Sequence, residues 1–303
     1  QHYPNGVIII DPTVKSQGTT CLYTNQNQMI LIKGLPSGKQ HQGGCIFIMK
    51  LAVKKANIQV ILILAATRLS FGQVKFCAVG DILLDRGVRK TIETNGISYL
   101  FDEVQPYIQQ HDLAFFNLEC PITDAEGKAP LLKRFSFKGD VEAVPQLRKV
   151  GFNVASVANN HTIDWGREGF AETWNVLTQG GISPVGGGCN QREASKPVLI
   201  KKNGLTLAFF GSLSFLLEGL AYNDDQWWAA YADIDSLVKE IKAINNFVDY
   251  VIVSFHWGEE NAPLPNYQQK GYAHKVIDSG ADLVIGHHPH VLQSIEVYDD
   301  ILI

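Results

Sequence analysis

Short hydrophobic runs alternate along this chain with longer segments in which apolar residues recur every three to four positions. Five of the hydrophobic runs end abruptly in polar residues, and they cover positions 76–80, 113–117, 154–158, 251–255 and 283–286. Runs of that length predict buried strands. The segments of helical character are 87–95, 99–110 with an interruption at Pro106, 141–150, 166–179, 234–247 and 267–279. This alternation predicts one α/β domain.

Each of the five predicted strands is followed by side chains that ligate metals or transfer protons. The residues concerned are Asp81, Glu119, Asn160 with His161, His256, and His288 with His290. In open α/β sheets, binding sites lie beyond the carboxyl ends of the strands. The five strand ends therefore predict a single convergent polar site.

A second sheet is predicted around Asn203-Gly204. This dipeptide is typical of two-residue hairpin turns, and it separates two apolar segments at 197–201 and 205–210. The hairpin indicates a sheet that is partly antiparallel. The glycine run 186–188 lacks the Lys-Ser/Thr ending of a phosphate loop, so we predict a tight turn there.

Two longer segments are expected at the surface of the domain. The segment 125–137, rich in Lys, Gly and Pro, is predicted to cap one side of the cleft. The segment 217–232 carries several aromatic residues, and it forms either a substrate wall or a cover that packs over the core. The chain ends in the apolar run 301–303, which predicts a strand that is truncated.

The beginning of the chain differs from the rest. Residues 1–48 show no sustained periodicity, and we expect an upstream extension that is not part of the fold. Residues 49–72 contain basic residues, a short apolar stretch and small residues in that order, which predicts a secretory signal peptide. The alternative is a buried helix of an N-terminal subdomain, which Arg68 favours. Residues 73–303 then form the folded domain.

Composition and charge limit the classes of function. Of the 303 residues, 46% are hydrophobic and 18% are charged, which is typical of a globular protein with a full core. The net charge of −4 and the lack of a Lys/Arg cluster argue against a nucleic-acid surface. After residue 72 the cysteines are Cys77, Cys120 and Cys189, without the spacing of a disulfide framework or zinc knuckle. We predict packing roles for Cys77 and Cys120.

The residues at the strand ends predict a metal centre when they are taken together. Singly, each has an ordinary structural alternative: Asp81 is a helix cap, Glu119 a surface acid, His256 a core histidine and Asn160 a turn former. His288 and His290 flank a proline at one strand exit, where both imidazoles can face the same point. Carboxylate, amide and imidazole ligands without thiolates suit divalent Mn, Fe, Zn or Mg.

Further residues near the strand ends are candidates for catalysis. A divalent ion polarises a phosphoryl or carbonyl oxygen and lowers the pKa of bound water. His161, next to Asn160, is then placed to protonate a leaving group, and Asp164 to orient that imidazole. Glu259 is expected to act beside His256, and Arg86 to clamp an anionic group.

The blocks that carry these residues resemble, in order, those of the CapA family of capsule and poly-γ-glutamate synthesis proteins, similar to calcineurin-like metallophosphatases. They are Gly80-Asp81 with Arg86, Asn117-Leu118-Glu119, Asn159-Asn160-His161 with Asp164 and Gly166, His256-Trp257-Gly258-Glu259, and Gly286 to His290 with Val291 and Gln293. The resemblance implies a four-layer α/β sandwich of two mixed sheets flanked by helices. It also implies a site of dinuclear type, holding one or two divalent ions, and export to the cell surface.

The chain departs from the metallophosphatase pattern at one position of the first block. Those enzymes usually begin with Asp-x-His, but Asp81 is followed by Ile82 and Leu83, so that one histidine ligand is absent. In the block where those enzymes carry the aspartate that bridges the two metals, this chain has Glu119. Carried over by position, the ligands are Asp81, Glu119, Asn160, His256, His288 and His290, with His161 as the acid. His287 is expected to be a bystander that could exchange roles with His288.

Two functions remain open from the sequence. The first is an exported metal-dependent hydrolase that cleaves phosphoester or amide bonds of a surface polymer or its precursor. The second is a non-catalytic subunit that binds polymer or partners in a capsule export machine. The expected partners are an anionic surface polymer or its precursor and membrane-bound capsule synthesis subunits, with no nucleic acid.

Overall fold

The computed structural model describes residues 72–124, 134–215 and 228–303, together with the backbone of three short strands at 8–11, 20–21 and 30–33. The strands are β1 (Ile8–Asp11), β2 (Thr20–Cys21), β3 (Ile30–Lys33), β4 (Phe76–Ile82), β5 (Leu113–Leu118), β6 (Val154–Ser156), β7 (Ser183–Val185), β8 (Gly187–Gly188), β9 (Val198–Lys202), β10 (Leu205–Leu213), β11 (Trp228–Ala229), β12 (Tyr250–His256), β13 (Leu283–His287), β14 (Val297–Tyr298) and β15 (Ile301–Leu302). The α-helices are α1 (Gly87–Asn95), α2 (Gln105–Ile108), α3 (Ala143–Val150), α4 (Gly166–Gln179), α5 (Gln191–Ala194), α6 (Ile234–Ile244) and α7 (Tyr267–Ile277).

The first large sheet has the strand order β2-β3-β1-β4-β5-β6-β7. Strands β4 to β7 run parallel to one another, whereas β1 pairs with β4 antiparallel. Strands β1 to β3 therefore extend the sheet beyond β4. The remainder of residues 1–71 lies outside the described part, so its division into extension and signal peptide stays a prediction.

The second large sheet has the order β14-β15-β13-β12-β10-β9. Its central strands β10, β12, β13 and β15 are parallel, and β9 and β14 join the two edges antiparallel. The turn between β9 and β10 has positive φ angles of 50° at Asn203 and 82° at Gly204. Both angles are those of a two-residue hairpin turn, so the predicted hairpin is confirmed.

Three hydrophobic cores separate four layers. Phe115, Phe209 and Ile252 belong to a core formed by residues of both sheets. Neighbouring residues of the same strands point the other way, and Phe116 packs with the helices of the first sheet while Val253 packs with α6 and α7. Since successive side chains of a strand face opposite sides, one strand contributes residues to two cores. The α/β sandwich of two mixed sheets flanked by helices is thereby confirmed.

Helix boundaries follow from capping and from the spacing of apolar residues. In α6, the buried residues Ile234, Leu237 and Ile241 lie on one face, and the Asp233 side chain accepts hydrogen bonds from the first turn. Helix α7 begins with a capping box between Asn266 and Gln269. Helices α1 and α4 have the bounds that the sequence predicted. Within the described residues, no helix combines the length and the apolar character needed to cross a membrane.

Other predicted segments differ in detail. The predicted helix 99–110 is replaced by a short 3₁₀ helix at Ile97–Leu100, a turn, and the single-turn helix α2. Pro106 lies in the first turn of α2, where its missing N–H costs nothing. Only Gly186 forms the predicted turn, because Gly187 and Gly188 form β8 and pair with β11. Residues 125–133 and 216–227 lie outside the described part, as do the aromatic residues Tyr222 and Trp227.

The two sheets approach closely at Gly186 and Gly211. A β-carbon on Gly211 would lie 3.0 Å from Cα of Gly186, and one on Gly186 would lie 2.8 Å from Cα of Gly211. Gly186 also has φ 78°, a conformation that other residues rarely adopt. Glycine at both positions therefore allows the end of β7 to pack on β10.

Candidate metal centre

The strand ends converge around Asp81, which lies in β4 next to a local irregularity in the pairing of β4 with β5. Asn117 of β5 is opposite Asp81 and fully buried, and its Nδ2 donates to Asp81 Oδ1 at 2.8 Å. The carbonyl oxygen of the same amide accepts a hydrogen bond from Asn159 Nδ2 at 3.2 Å. Asn117 thus connects the end of β4 to the loop that follows β6.

Glu119 occupies the centre of the cluster. Its backbone N–H donates to the carbonyl of Ile82 at 3.0 Å, which fixes the chain beside the end of β4. One carboxylate oxygen lies 3.8 Å from His256 Nε2 and 3.7 Å from His290 Nε2. Glu119 is almost completely buried, so this carboxylate faces the other candidate ligands and not the solvent.

Imidazole and amide groups from three chain segments meet opposite Glu119. His256 Nε2 is 2.8 Å from Asn160 Oδ1 and 3.1 Å from His288 Nδ1. The Phe215 ring packs 4.7 Å from the His288 ring and covers it. These three polar side chains therefore direct nitrogen and oxygen atoms toward one small volume.

His290 joins the cluster from the loop after β13. Its Nδ1 lies 3.3 Å from Asp81 Oδ2, and its side chain is 40% exposed, whereas the other ligand candidates are mostly buried. His288 and His290 have positive φ angles of 95° and 56°. Such angles are costly for residues other than glycine and are concentrated at functional sites. The strained loop turns both imidazoles into the cluster.

The predicted ligand positions form two overlapping groups. Within the described residues, Glu119, His256 and His288 form one group of possible ligands, and Asp81, Glu119 and His290 form the other. In each group the ligand atoms lie within 4.8 Å of one another. Glu119 belongs to both groups. Asn160 lies beside the first group through its contact with His256.

The two acids of the cluster have opposite pKa shifts. Burial raises the pKa of Glu119 to about 10, and the negative charge of Asp81 adds to the effect. Burial alone would also raise the pKa of Asp81, but hydrogen bonds from His287 and His290 outweigh it and hold that pKa well below its usual range. At neutral pH, a positive charge placed between the two carboxylates would favour ionisation of both.

The histidines of the cluster also have shifted pKa values. Burial lowers the pKa of His288 to about 4 and that of His256 well below its usual value. Both are therefore neutral at pH 7, with a lone pair available for a cation. The hydrogen bond to Asp81 raises the pKa of His290. Neutral imidazoles, carboxylates and one amide oxygen fit a divalent cation of hard or borderline type.

His161 and Asp164 lie beside this cluster in the loop that leads to α4. His161 Nδ1 is 2.9 Å from Asp164 Oδ2, and that oxygen also accepts the backbone N–H of Phe137 at 2.7 Å. The Phe137 ring covers the imidazole with a centroid distance of 4.3 Å. Asn159 Oδ1 accepts the backbone N–H of His161 at 3.0 Å. The imidazole is consequently held in one orientation.

Arg86 and Glu259, the remaining candidates, lie at the rim. The guanidinium carbon of Arg86 lies 5.9 Å from the centroid of the Phe137 ring, which also packs on His161. Glu259 is exposed in the turn after His256. Burial and Asp81 dominate the raised pKa of Glu119, burial dominates the lowered pKa of His288, and the hydrogen bond to Asp81 dominates the raised pKa of His290. The charge of the neighbouring Glu260 carboxylate makes a smaller, upward contribution to all three.

His287 contacts the cluster, although the sequence suggested a bystander. This buried imidazole ends β13, and its Nδ1 lies 3.5 Å from Asp81 Oδ1. Asn117 and Asn159 were named from the sequence only as members of the family blocks, without a role in the site, and Glu260 was not named among the candidates. The one available signal was an amide, Asn117, at the end of an otherwise apolar strand.

The family comparison agrees with the blocks seen in the sequence. The model of the family described as "Bacterial capsule synthesis protein PGA_cap" matches residues 75–303. The chain is 33% identical over 226 residues to the PGA biosynthesis protein CapA of Bacillus subtilis (strain 168), a match that covers 74% of this chain and 60% of the relative. It is 32% identical over 226 residues to the capsule biosynthesis protein CapA of Bacillus anthracis, with coverages of 73% and 55%.

Solved structures show weaker similarity. A hypothetical protein from Thermus thermophilus has a TM-score of 0.43 at 15% identity, with 75% of this chain and 73% of that chain covered. A 5′-nucleotidase precursor from the same organism has a TM-score of 0.32 at 14% identity, with coverages of 62% and 34%. The assignment therefore depends on the sequence matches, in which this chain spans little more than half the length of the two CapA proteins. Since the family model covers most of the chain, the protein belongs to the bacterial capsule synthesis protein family PGA_cap.

Proposed function

We propose that this protein is an exported metal-dependent hydrolase that cleaves a phosphoester or amide bond of a surface polymer or its precursor during capsule or poly-γ-glutamate synthesis. The observation that carries the proposal is the pair of ligand groups sharing Glu119, with the His161–Asp164 pair beside them. A structural metal alone would not require a second, separately oriented imidazole.

The residues that would hold the metal are those of the two groups together with Asn160. One or two ions of Mn, Fe, Zn or Mg would fit this donor set. When bound, a divalent ion polarises the scissile bond and activates water. Glu119 would contribute to both positions, while His256 and His288 complete one group and Asp81 and His290 the other.

His161 would carry the proton for the leaving group. Its Nδ1 faces Asp164, so the opposite ring nitrogen, Nε2, is the atom that exchanges the proton with substrate. Asp164 stabilises the imidazolium form and sets the tautomer, and Phe137 shields one face of the ring from water. Arg86 would bind an anionic group of the substrate at the rim.

The proposal includes export and partners of stated chemistry. The order of basic, apolar and small residues in 49–72 supports export. An anionic polymer or its precursor fits a centre that would hold divalent cations and has an arginine at its rim. Membrane-bound capsule synthesis subunits are the proposed protein partners.

A non-catalytic role in polymer binding or export is the second candidate. It is favoured by Leu83, which occupies the place of the histidine in the Asp-x-His block of metallophosphatases. Without that histidine, the ligand group around Asp81 has one imidazole fewer than the metallophosphatase pattern supplies.

The deciding experiment combines metal analysis with turnover. The full chain is purified without chelator, its metal content is measured, and hydrolysis of bis(p-nitrophenyl) phosphate and of poly-γ-glutamate is assayed with Mn²⁺. We expect bound metal and metal-dependent hydrolysis of at least one substrate. His161→Ala should remove activity while metal content stays the same, and His111→Ala, at a partly buried histidine of the turn after α2, serves as the matched control.

The same experiment separates the two candidates. Glu119→Gln should lower metal content, because Glu119 belongs to both ligand groups. If the protein binds metal but hydrolyses neither substrate, the hydrolase proposal is rejected in favour of the non-catalytic binding subunit. Absence of bound metal after incubation with each of the four ions would overturn the metal centre itself.

A further inference from the structure

Beside His161 lies a patch of two arginines and two aromatic rings, Arg86, Arg134, Phe135 and Phe137, which we call the cation–aromatic patch. The Phe135 and Phe137 rings are nearly parallel, with an interplanar angle of 12° and centroids 6.4 Å apart. The Arg86 guanidinium carbon lies 5.3 Å from the Phe135 centroid, and that of Arg134 lies 5.1 Å from the same centroid. Two positive charges are thus presented on one ring.

The patch is fixed to the catalytic side of the domain by contacts that do not involve the two arginine side chains. Asp85 accepts the backbone N–H of Arg86 at 2.7 Å and that of Lys138 at 2.8 Å. Arg89 binds Asp140 at 2.8 Å, and it also contacts the backbone carbonyl of Lys138. These contacts clamp residues 138–140 to the start of α1. The rings are therefore held in place next to His161.

The two guanidinium groups are available to a ligand. Within the described residues, neither Arg86 nor Arg134 forms an ion pair, although the nearby Arg89 forms two. Phe135 is 45% exposed, so the surface between the arginines is open to solvent. Arg86 has φ 57° and ψ −128°, a conformation that is costly for a residue with a side chain. The strained backbone conformation therefore belongs to Arg86, the residue whose guanidinium group lies over both rings.

We propose that the cation–aromatic patch is a subsite that binds the carboxylates of a polymer chain on the leaving-group side of His161. The inference rests on the proposed function, in which an anionic polymer or its precursor reaches the metal centre. Guanidinium groups bind carboxylates through paired hydrogen bonds, and stacking on an aromatic ring limits their motion before binding. Two arginines on one ring fit two neighbouring carboxylates of the chain, whereas a small monoanion engages one of them.

The subsite is tested by binding, independently of turnover. A synthetic oligomer of γ-linked glutamate, monomeric glutamate and inorganic polyphosphate are titrated into the protein, with and without added Mn²⁺, by isothermal titration calorimetry. We expect the oligomer to bind more tightly than the monomer. Arg134→Gln should weaken oligomer binding about tenfold, and Phe135→Leu about threefold, because the ring then no longer stacks with the guanidinium groups.

Matched controls make the result decisive. Arg192→Gln removes one exposed positive charge from α5, away from the patch, and should change the dissociation constant by less than about twofold. Circular dichroism and thermal melting show whether each variant is folded. An Arg134→Gln variant that is folded and binds the oligomer like the parent protein would overturn the subsite. A loss of oligomer affinity in Arg192→Gln as large as that in Arg134→Gln would also overturn the subsite.

Two further outcomes separate the inference from the proposed function. Polyphosphate binding as tightly as the glutamate oligomer, with the same dependence on Arg134, would overturn the assignment to carboxylates. Oligomer binding that depends on Arg134, in a protein that hydrolyses neither bis(p-nitrophenyl) phosphate nor the polymer, would support the subsite and reject the hydrolase.

Discussion

His161 Nδ1 and Asp164 Oδ2 lie 2.9 Å apart, and both side chains are buried beside the candidate metal centre. The same oxygen of Asp164 accepts the backbone N–H of Phe137, which prevents the carboxylate from rotating away. A buried acid that orients an imidazole in this way is known to set the tautomer and to stabilise the protonated ring. The pair therefore acts as a unit in the proposed proton transfer.

Asp164→Asn should lower kcat about a hundredfold or more, because the amide neither fixes the tautomer of His161 nor stabilises its protonated form. The measurement is hydrolysis of bis(p-nitrophenyl) phosphate at saturating Mn²⁺, with metal content determined in parallel. Metal content should not change, since Asp164 belongs to neither ligand group. A variant with the activity of the parent protein would contradict the role of the pair.

The affinity for the metal should fall as the pH falls. Binding requires deprotonated ligands, and Glu119, with its pKa raised to about 10, must release a proton to the solvent at neutral pH. His290, with its pKa raised by Asp81, must release a second proton once the pH drops below that pKa. His256 and His288 stay neutral in this range because their pKa values are lowered.

Competition with a chelator between about pH 5.5 and 9 measures this dependence. We expect about a tenfold loss of affinity per pH unit at the alkaline end and a steeper loss at the acidic end. His290→Gln should remove the steeper part and keep the shallower one. An affinity that does not vary with pH would show that Glu119 is not a ligand.

Gly211→Ala should destabilise the fold, because the added β-carbon would lie 3.0 Å from both Cα of Gly186 and the carbonyl oxygen of Val185. Overpacking of this kind costs about 1–3 kcal/mol. Urea denaturation followed by circular dichroism gives the free energy of unfolding. Gly87→Ala is the matched control, since a β-carbon at Gly87 meets no atom within 4 Å. Equal stability of the two variants would argue against close packing of β7 on β10.

Cys189 should react with iodoacetamide at pH 8 well before Cys77 and Cys120. Cys189 is exposed, whereas Cys77 and Cys120 are buried and burial raises the pKa of both thiols to about 12. Thiolate is the reactive form, so both buried thiols react slowly. Peptide mapping by mass spectrometry after timed labelling provides the measurement. Early modification of Cys120 would indicate that the core under Glu119 opens readily.

The strands and the candidate ligands were predictable from the sequence for one physical reason. Each apolar run stops where the chain leaves the core, so the first polar residue after it, such as Asp81 or His256, marks the edge of the sheet. Parallel pairing then brings those edges together, which the alternation of strands and helices indicates. Helix α4 was equally clear, because its apolar positions repeat over 14 residues.

Contacts between distant residues could not be predicted in this way. Asn117 lies within an apolar strand, and its contact with Asp81 depends on the register of β4 against β5, which no local pattern contains. Whether Glu259 or Glu260 is the acid whose charge acts on the cluster depends on the direction of the single turn that follows His256. Likewise, the cover of His161 by Phe137 depends on the path of the chain after the undescribed segment 125–133.

The exposure of His290 has a consequence for metal exchange. Of the possible ligands in the two groups, His290 is the one whose side chain is substantially open to water, while His288 lies under Phe215. An ion held by Asp81, Glu119 and His290 would therefore leave first, and an ion held by His256 and His288 would persist. Partial stripping of the protein should yield a form with one tightly retained ion, and the concentration of free metal around the protein would then set the occupancy of the labile position.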